Sequence, residues 1–241
     1  MPLRIGTCGW QYDDWRDAFY ANDLPKAKWL QAYAETFDTV ECDNAFYRLP
    51  SRETFAKWAA AVPDGFSMSV KASRFLTHVK RLKDPDEPVK RLLEACGGLG
   101  DRLGPILLQL PPTMKADVDR LAACLECFPP SIRVAVEPRH ATWWTDETRH
   151  TLEKHRAALA WSDRLGKPVA PLWRTAAWGY VRLHQGREDF PPDYTTRQLR
   201  TWIQRIDDTW PSRDTTFVYL NNDPGAAAIR NARSLQAMRG R

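Results

Sequence analysis

Residues 178–186 read WGYVRLHQG. In an extended chain successive side chains point to opposite sides, so Val181 and Leu183 share one face and Tyr180, Arg182 and His184 the other. The run then breaks into polar residues and glycine. Seven more short apolar runs have the same design, at residues 3–10, 39–43, 66–72, 105–111, 134–140, 157–163 and 217–223, with tails reading TCGW, ECDN, VKAS, LQLPP, VEPRH, WSD and LNND. Eight strands with their polar residues gathered at the C-terminal ends are the one-dimensional image of a βα barrel, whose functional side chains collect at that end.

Between the runs, apolar residues recur at helical spacing, as in Trp29, Leu30, Tyr33 and Phe37. The pattern predicts helices over 26–37, 52–62, 88–99, 116–128, 145–157, 196–209 and 225–238. Residues 164–177 break the rhythm, because Gly166, Pro168 and Pro171 oppose a regular helix. The expected fold class is α/β: a single (β/α)8 TIM-type barrel over residues 1–241, with the sixth helix replaced by a loop. Alternation alone does not decide closure, so an open doubly wound sheet is the competing architecture. A dinucleotide-binding version of that sheet would want GxGxxG after the first strand, where this chain has GTCGWQ.

Composition narrows the function classes. With 43% hydrophobic and 27% charged residues, the chain reads as globular rather than disordered. Its 35 basic and 30 acidic residues give a formal charge of +5, too slight an excess to imply nucleic acid by itself. No apolar stretch nears the roughly 18 residues of a membrane span, and no signal-like apolar core opens the chain, so a cytoplasmic protein with no membrane partner is expected. The five cysteines are few and odd in number, which suits a reducing compartment. Cys124 and Cys127 form an isolated CxxC in a helical stretch and read as ordinary helix residues.

Strand alternation assigns Met68, Val70, Val134, Val136, Val218 and Leu220 to the helix side. It turns Ser67, Ser69, Lys71, Ala135, Glu137, Arg139, Phe217, Tyr219 and Asn221 inward, together with Glu41 and Gln109. A barrel core needs only packed apolar side chains, and an unpaired buried charge is costly. So many inward charges must pair with one another or face a wet, ligand-holding opening.

Several segments stand together in a familiar order: GTCGWQYDDW (6–15), TVECDNAFYRLP (39–50), FSMSVKASRFLTH (66–78), LGPILLQLPP (103–112), VAVEPRHATW (134–143), GYVRLHQG (179–186) and VYLNNDPGAAAIRNA (218–232). Through them the chain resembles, over nearly its whole length, the YecE-like proteins, the family called domain of unknown function 72. The resemblance implies a TIM-type barrel and carries no reaction, cofactor or catalytic residue with it. Pro138 stands where an aromatic residue is commoner in that family, and Gln185 intrudes between His184 and Gly186.

The leading expectation is an enzyme with hydrolase- or lyase-like acid/base chemistry, acting on an anionic or phosphorylated organic substrate at the C-terminal barrel mouth. Glu137, His184, Glu41 and Lys71 are the candidate catalytic groups, since a carboxylate and an imidazole at one mouth can divide acid and base roles. Arg74, Arg139 and Arg182 add planar forks for an anion beside the lysine point charge. His78, Gln109, Tyr219, Asn221 and Asn222 complete the candidate substrate-binding set. The turns HQGRE and NNDPGAAA offer a phosphate site at a helix N-terminus, against which Asp223 would repel an anion.

Alternatives stay open. Glu41 and Glu137 could be simple ion-pair partners of Lys71, Arg139 and Arg182. A divalent metal could draw on Glu41, Glu137, His140, Asp163 and His184, although the surrounding cations disfavour another positive charge, and no cofactor is expected. A nucleic-acid-binding or nucleic-acid-processing protein could use the basic loop at 74–83, the arginine-rich C-terminus and the aromatic residues Trp10, Tyr12, Trp15, Phe46, Tyr47, Trp143 and Trp144. A non-catalytic ligand-binding barrel is the third reading. Nothing in the sequence sets the oligomeric state.

Overall fold

Each of the eight apolar runs forms a strand in the computed structural model, which describes residues 3–210 and 215–240. Arg241, the last residue of the basic C-terminus, lies outside the described residues. The strands are β1 (Leu3–Thr7), β2 (Thr39–Cys42), β3 (Ser67–Lys71), β4 (Leu103–Gln109), β5 (Val134–Glu137), β6 (Ala158–Leu159), β7 (Trp161–Arg164), β8 (Lys167–Pro168), β9 (Gly179–Leu183) and β10 (Thr216–Leu220). They form an α/β fold of two five-stranded sheets, ordered β1-β10-β9-β7-β8 and β2-β3-β4-β5-β6. All the ladders run parallel except the short β7–β8 pair.

The helices are α1 (Trp29–Ala34), α2 (Asn44–Tyr47), α3 (Arg52–Ala60), α4 (Asp86–Cys96), α5 (Val118–Glu126), α6 (Asp146–Lys154), α7 (Thr196–Thr209) and α8 (Ala227–Met238). Local chemistry fixes several starts. Ser51, Asp117, Thr145 and Thr195 each accept a hydrogen bond from an amide in the first turn that would otherwise lack a partner, and Gln198 completes a capping box with Thr195. Among the described residues no helix joins β7 to β9, and the expected loop at 164–177 carries only the β8 arm. The periodicity did not reveal α2 or the single π turn at Phe75–Val79, because four or five residues are too few to show a helical period. No helix is long and apolar enough to cross a membrane among the described residues.

The two sheets face each other. The Tyr219 hydroxyl on β10 lies 2.7 Å from both Thr39 Oγ1 on β2 and Ser69 Oγ on β3. The apolar packing divides as the alternation requires. Met68, Val70, Val134, Val136, Val181, Leu183, Val218 and Leu220 join the helices in one large cluster, while Leu107, Ala135, Tyr180, Phe217 and Tyr219 belong to a separate cluster between the sheets.

At one junction, β1 meets β2 closely enough that a Cβ on Gly6 would sit 2.1 Å from the Thr39 carbonyl oxygen. Backbone cannot yield there as a flexible side chain could. Gly6→Ala should therefore cost at least about 1–3 kcal/mol, the usual penalty of overpacking. Urea denaturation measures it, and an unchanged midpoint would show that the two strands can part.

Candidate active site

At the C-terminal ends of the strands, Arg182 of β9 is wholly buried and surrounded by acceptors. Its Nη2 donates to Glu41 Oε1 at 2.7 Å and its Nη1 to Glu137 Oε2 at 2.7 Å, so one guanidinium joins a carboxylate of β2 to one of β5. The Arg182 Nη2 also lies 3.5 Å from Cys8 Sγ and 3.6 Å from Asp43 Oδ2. Tyr180 donates its hydroxyl hydrogen to Glu41, while Gln109 Nε2 and Arg139 Nε donate to Glu137 at 3.0 and 3.1 Å. His184 Nε2 stands 3.3 Å from Glu137 Oε1. Asn221 Nδ2 lies 2.8 Å from His184 Nδ1 and so fixes the ring from its other side.

Burial works to raise both glutamates, yet both end below the ordinary carboxylate range. For Glu41 the opposing causes are the Arg182 charge, a hydrogen bond from Asp43, the Lys71 charge and the Tyr180 hydroxyl. For Glu137 they are Arg182, the neighbouring His184 and Arg139. The two are held anions.

Asp43 departs in the opposite direction. It sits just past the end of β2 with its side chain 22% exposed, and Lys71 Nζ lies 3.6 Å from Oδ1, beyond hydrogen-bond reach. Oδ1 has no hydrogen-bond partner. Burial, the ionised Glu41 and a shared hydrogen bond push Asp43 up to about 7, against the pull of Arg182 and Lys71. Asp223 beyond β10 is also raised, by burial and the Asp43 charge, against the pull of Tyr12 and Arg182. Basic side chains lie nearby. Lys71 Nζ stands 4.5 Å from the centre of the Phe46 ring, His78 meets that ring edge-on at 4.9 Å, and the Arg139 side chain is 39% exposed. His78 is held below its usual value by desolvation and by Lys71, Arg139, Arg74 and Arg81.

A match to the family described as protein of unknown function DUF72 spans residues 4–241. The chain belongs to this family. Relatives include the UPF0759 protein YunF of Bacillus subtilis (strain 168), 23% identical over 97% of this chain and 93% of its own. The UPF0759 protein YecE of Escherichia coli (strain K12) is 29% identical over 52% of this chain and 47% of its own. A DUF72 structure from Thermotoga maritima MSB8 superposes over the whole of both chains with a TM-score of 0.85 at 25% identity. Another fold likeness, at a TM-score of 0.60 and 8% identity over 100% of this chain and 98% of the other, is to SacUVDE.

In this DUF72 chain, Glu41, Lys71, Gln109, Glu137, Arg139, Arg182, His184 and Asn221 gather around one opening. His78 joins them from the π turn. Arg74 is exposed beside it. Tyr219 and Asn222 lie elsewhere: Tyr219 is fully buried with its hydroxyl spent on Thr39 and Ser69, and Asn222 Nδ2 ties Pro192 O and Asn231 Oδ1 together at 3.0 and 2.8 Å. The expected phosphate site at the start of α8 is also spoken for, because Gly225 N donates to Asp14 Oδ2 at 2.8 Å. Trp10, Trp15 and Trp143 are buried packing residues, which leaves Tyr12, Phe46 and Trp144 half-buried and Tyr47 exposed. A larger groove of about 860 Å³, lined by Arg133, His155 and Trp178, lies at the opposite ends of the strands and contains none of the ring.

Asp43 and Cys8 join the cluster although neither is among the residues expected there. The signal for Asp43 was available, since it lies two residues beyond Glu41 and so shares its inward face. The five metal ligands considered do not converge. Asp163 accepts from His184 N at 2.7 Å and Tyr194 Oη at 2.7 Å, and His140 caps the turn Ala141–Trp143. The described residues that could hold an ion together are Cys8, Glu41 and Asp43. Arg182 already places a positive charge within 2.7 to 3.6 Å of all three.

Two stability predictions follow from the charges. Arg182→Met leaves Glu41 and Glu137 buried without their cation and should cost about 3–5 kcal/mol in denaturant titration; a loss within error of zero would mean that the glutamates simply take up protons. Asp43 works the other way. A raised carboxylate costs stability as pH climbs from its unfolded value, about 3.9, to its folded value, and the full cost is present above that. Asp43→Asn should therefore gain stability on wild type between about pH 4 and about pH 8, with melting at both values as the check.

Proposed function

We propose that the two sheets are halves of one closed (β/α)8 barrel, and that the chain is a hydrolase of phosphate esters working at its C-terminal mouth. Three observations support closure. Cys8 and Glu41 form a parallel bridge between the edges of β1 and β2, with Gly9 N donating to Glu41 O at 2.8 Å. Residues 158–164 pair with β5 through β6 and with β9 through β7, interrupted only at Ala160. The β8 arm is an added hairpin outside that ring.

The observation that carries the enzymatic reading is the placement of Asp43. It is a carboxyl that titrates near neutrality, keeps an oxygen free, and lies between the locked acid cluster and a wall of cations. Such a group is suited to give and take a proton at physiological pH. In the reading we favour, Lys71 and Arg139 hold the phosphoryl oxygens. Water attacks phosphorus, the ester P–O bond breaks, and the leaving oxygen takes the Asp43 proton, which the attacking water then replaces. Glu41, Glu137 and Arg182 are positioning residues whose mutual pairing keeps the site dry and rigid. His184, fixed between Asn221 and Glu137, closes one side.

A chromogenic aryl phosphate and a panel of phosphate mono- and diesters test this. Turnover should fall above about pH 7 as Asp43 loses its proton, and Asp43→Asn should lower kcat by about 10²–10⁴ without unfolding the protein. Lys71→Gln should act chiefly on KM. An Asp43→Asn protein as active as wild type would overturn the assignment.

A further inference from the structure

Among the described residues, all five large apolar side chains that stand exposed, Tyr47, Phe75, Val79, Val169 and Phe190, lie in segments that follow the C-terminal ends of strands. Exposed apolar surface concentrated at one end of a molecule marks a binding face. Tyr47 and Phe75 go further, since with Phe46, Leu49, Ser73 and Pro88 they line a groove of about 460 Å³. That size falls within the usual range for small-molecule sites.

Its charges are already matched. Lys80 pairs with Asp84 at 2.9 Å and Arg91 with Glu87 at 2.8 Å, so the groove suits an uncharged, flat, apolar group. The basic side chains of the opening lie next door, Lys71 beside Asp43 at 3.6 Å and Arg139 on Glu137 at 3.1 Å. Phe46 is the shared wall: it lines the groove, and it also carries Lys71 at 4.5 Å from its ring centre and His78 at 4.9 Å. The segment that shapes this junction is irregular. It runs from the π turn Phe75–Val79 into Arg81, Leu82 and Asp84, three residues with positive φ of 51°, 63° and 41°. Non-glycine residues held in that region are a cost that functional segments tend to bear.

We infer that the substrate is a phosphate monoester of a planar ring system, of which a free nucleoside monophosphate is the type, with its phosphate on Lys71 and Arg139 and its ring in the groove of Phe46, Tyr47 and Phe75. The inference rests on the reading that the cationic wall holds a phosphoryl group. It adds what that group is attached to. The ring would stack on aromatic faces, and the groove offers no charged group free to meet a second anion.

Calorimetric titration of the full chain with a nucleoside monophosphate, the parent nucleoside, inorganic phosphate and a short single-stranded oligonucleotide tests it without requiring turnover. The monophosphate should bind more tightly than the nucleoside or inorganic phosphate. Tyr47→Ala and Phe75→Ala, both at exposed positions that the fold does not need, should each weaken the monophosphate by about tenfold, the loss of one stacked ring, and leave inorganic phosphate unchanged. Lys71→Gln should weaken both phosphates. Equal binding of monophosphate and inorganic phosphate, indifference to Tyr47→Ala and Phe75→Ala, or binding of the oligonucleotide alone would each overturn the inference. If the ring-dependent binding holds and no phosphate ester is turned over, the hydrolase reading falls while the ligand class stands.

Discussion

A guanidinium with no exposure to water, reaching from one sheet to two carboxylates of the other, is the constraint on which this structure depends. Arg182 reaches Glu41 and Glu137 at 2.7 Å each. Burying three charges is expensive, and only close, well-directed hydrogen bonds offset it. That requirement fixes where β2, β5 and β9 stand relative to one another, because each contributes one of the three charges. Tyr180 and Gln109 use the remaining acceptor capacity, so the cluster is satisfied rather than strained.

The same cluster creates the chemistry around it. With Glu41 kept anionic by Arg182, the neighbouring Asp43 meets a negative charge it cannot escape, and its proton is retained to about 7. The pair follows a general pattern in which two carboxylates sharing one place are driven apart in acidity by their surroundings. Ion-pair and functional readings of the charged ring thus cease to compete. The ion pairs that hold the glutamates as anions are also what raises the aspartate beside them.

Around that point the opening has two characters. Cys8, Glu41, Asp43 and Asp223 come from or just follow β1, β2 and β10, and Lys71, His78 and Arg139 come from β3, the π turn and the residues after β5, with the lysine over the Phe46 ring. The polar groups at the start of α8, by contrast, are consumed in joining the residues after β10 to those after β1, as Gly225 to Asp14 and Trp15 to the Asp223 carbonyl show.

Much of this was legible in one dimension. The period of two in WGYVRLHQG and its seven counterparts determined which residues are strands, which faces turn inward, and that charge would gather at one end, because pleating allows a strand no other choice. Gly166, Pro168 and Pro171 likewise determined that a helix would be missing, since proline lacks the amide that a helix needs. Periodicity could not rank the charges. Glu137 looked like a base, but only the tertiary structure brings Arg182, Arg139 and Gln109 onto it at once and so makes it a poor one. Asp43, two residues past Glu41, became the titrating group for the same reason: acidity depends on which charges and how much water lie within a few ångströms, and those distances exist only after the chain has folded.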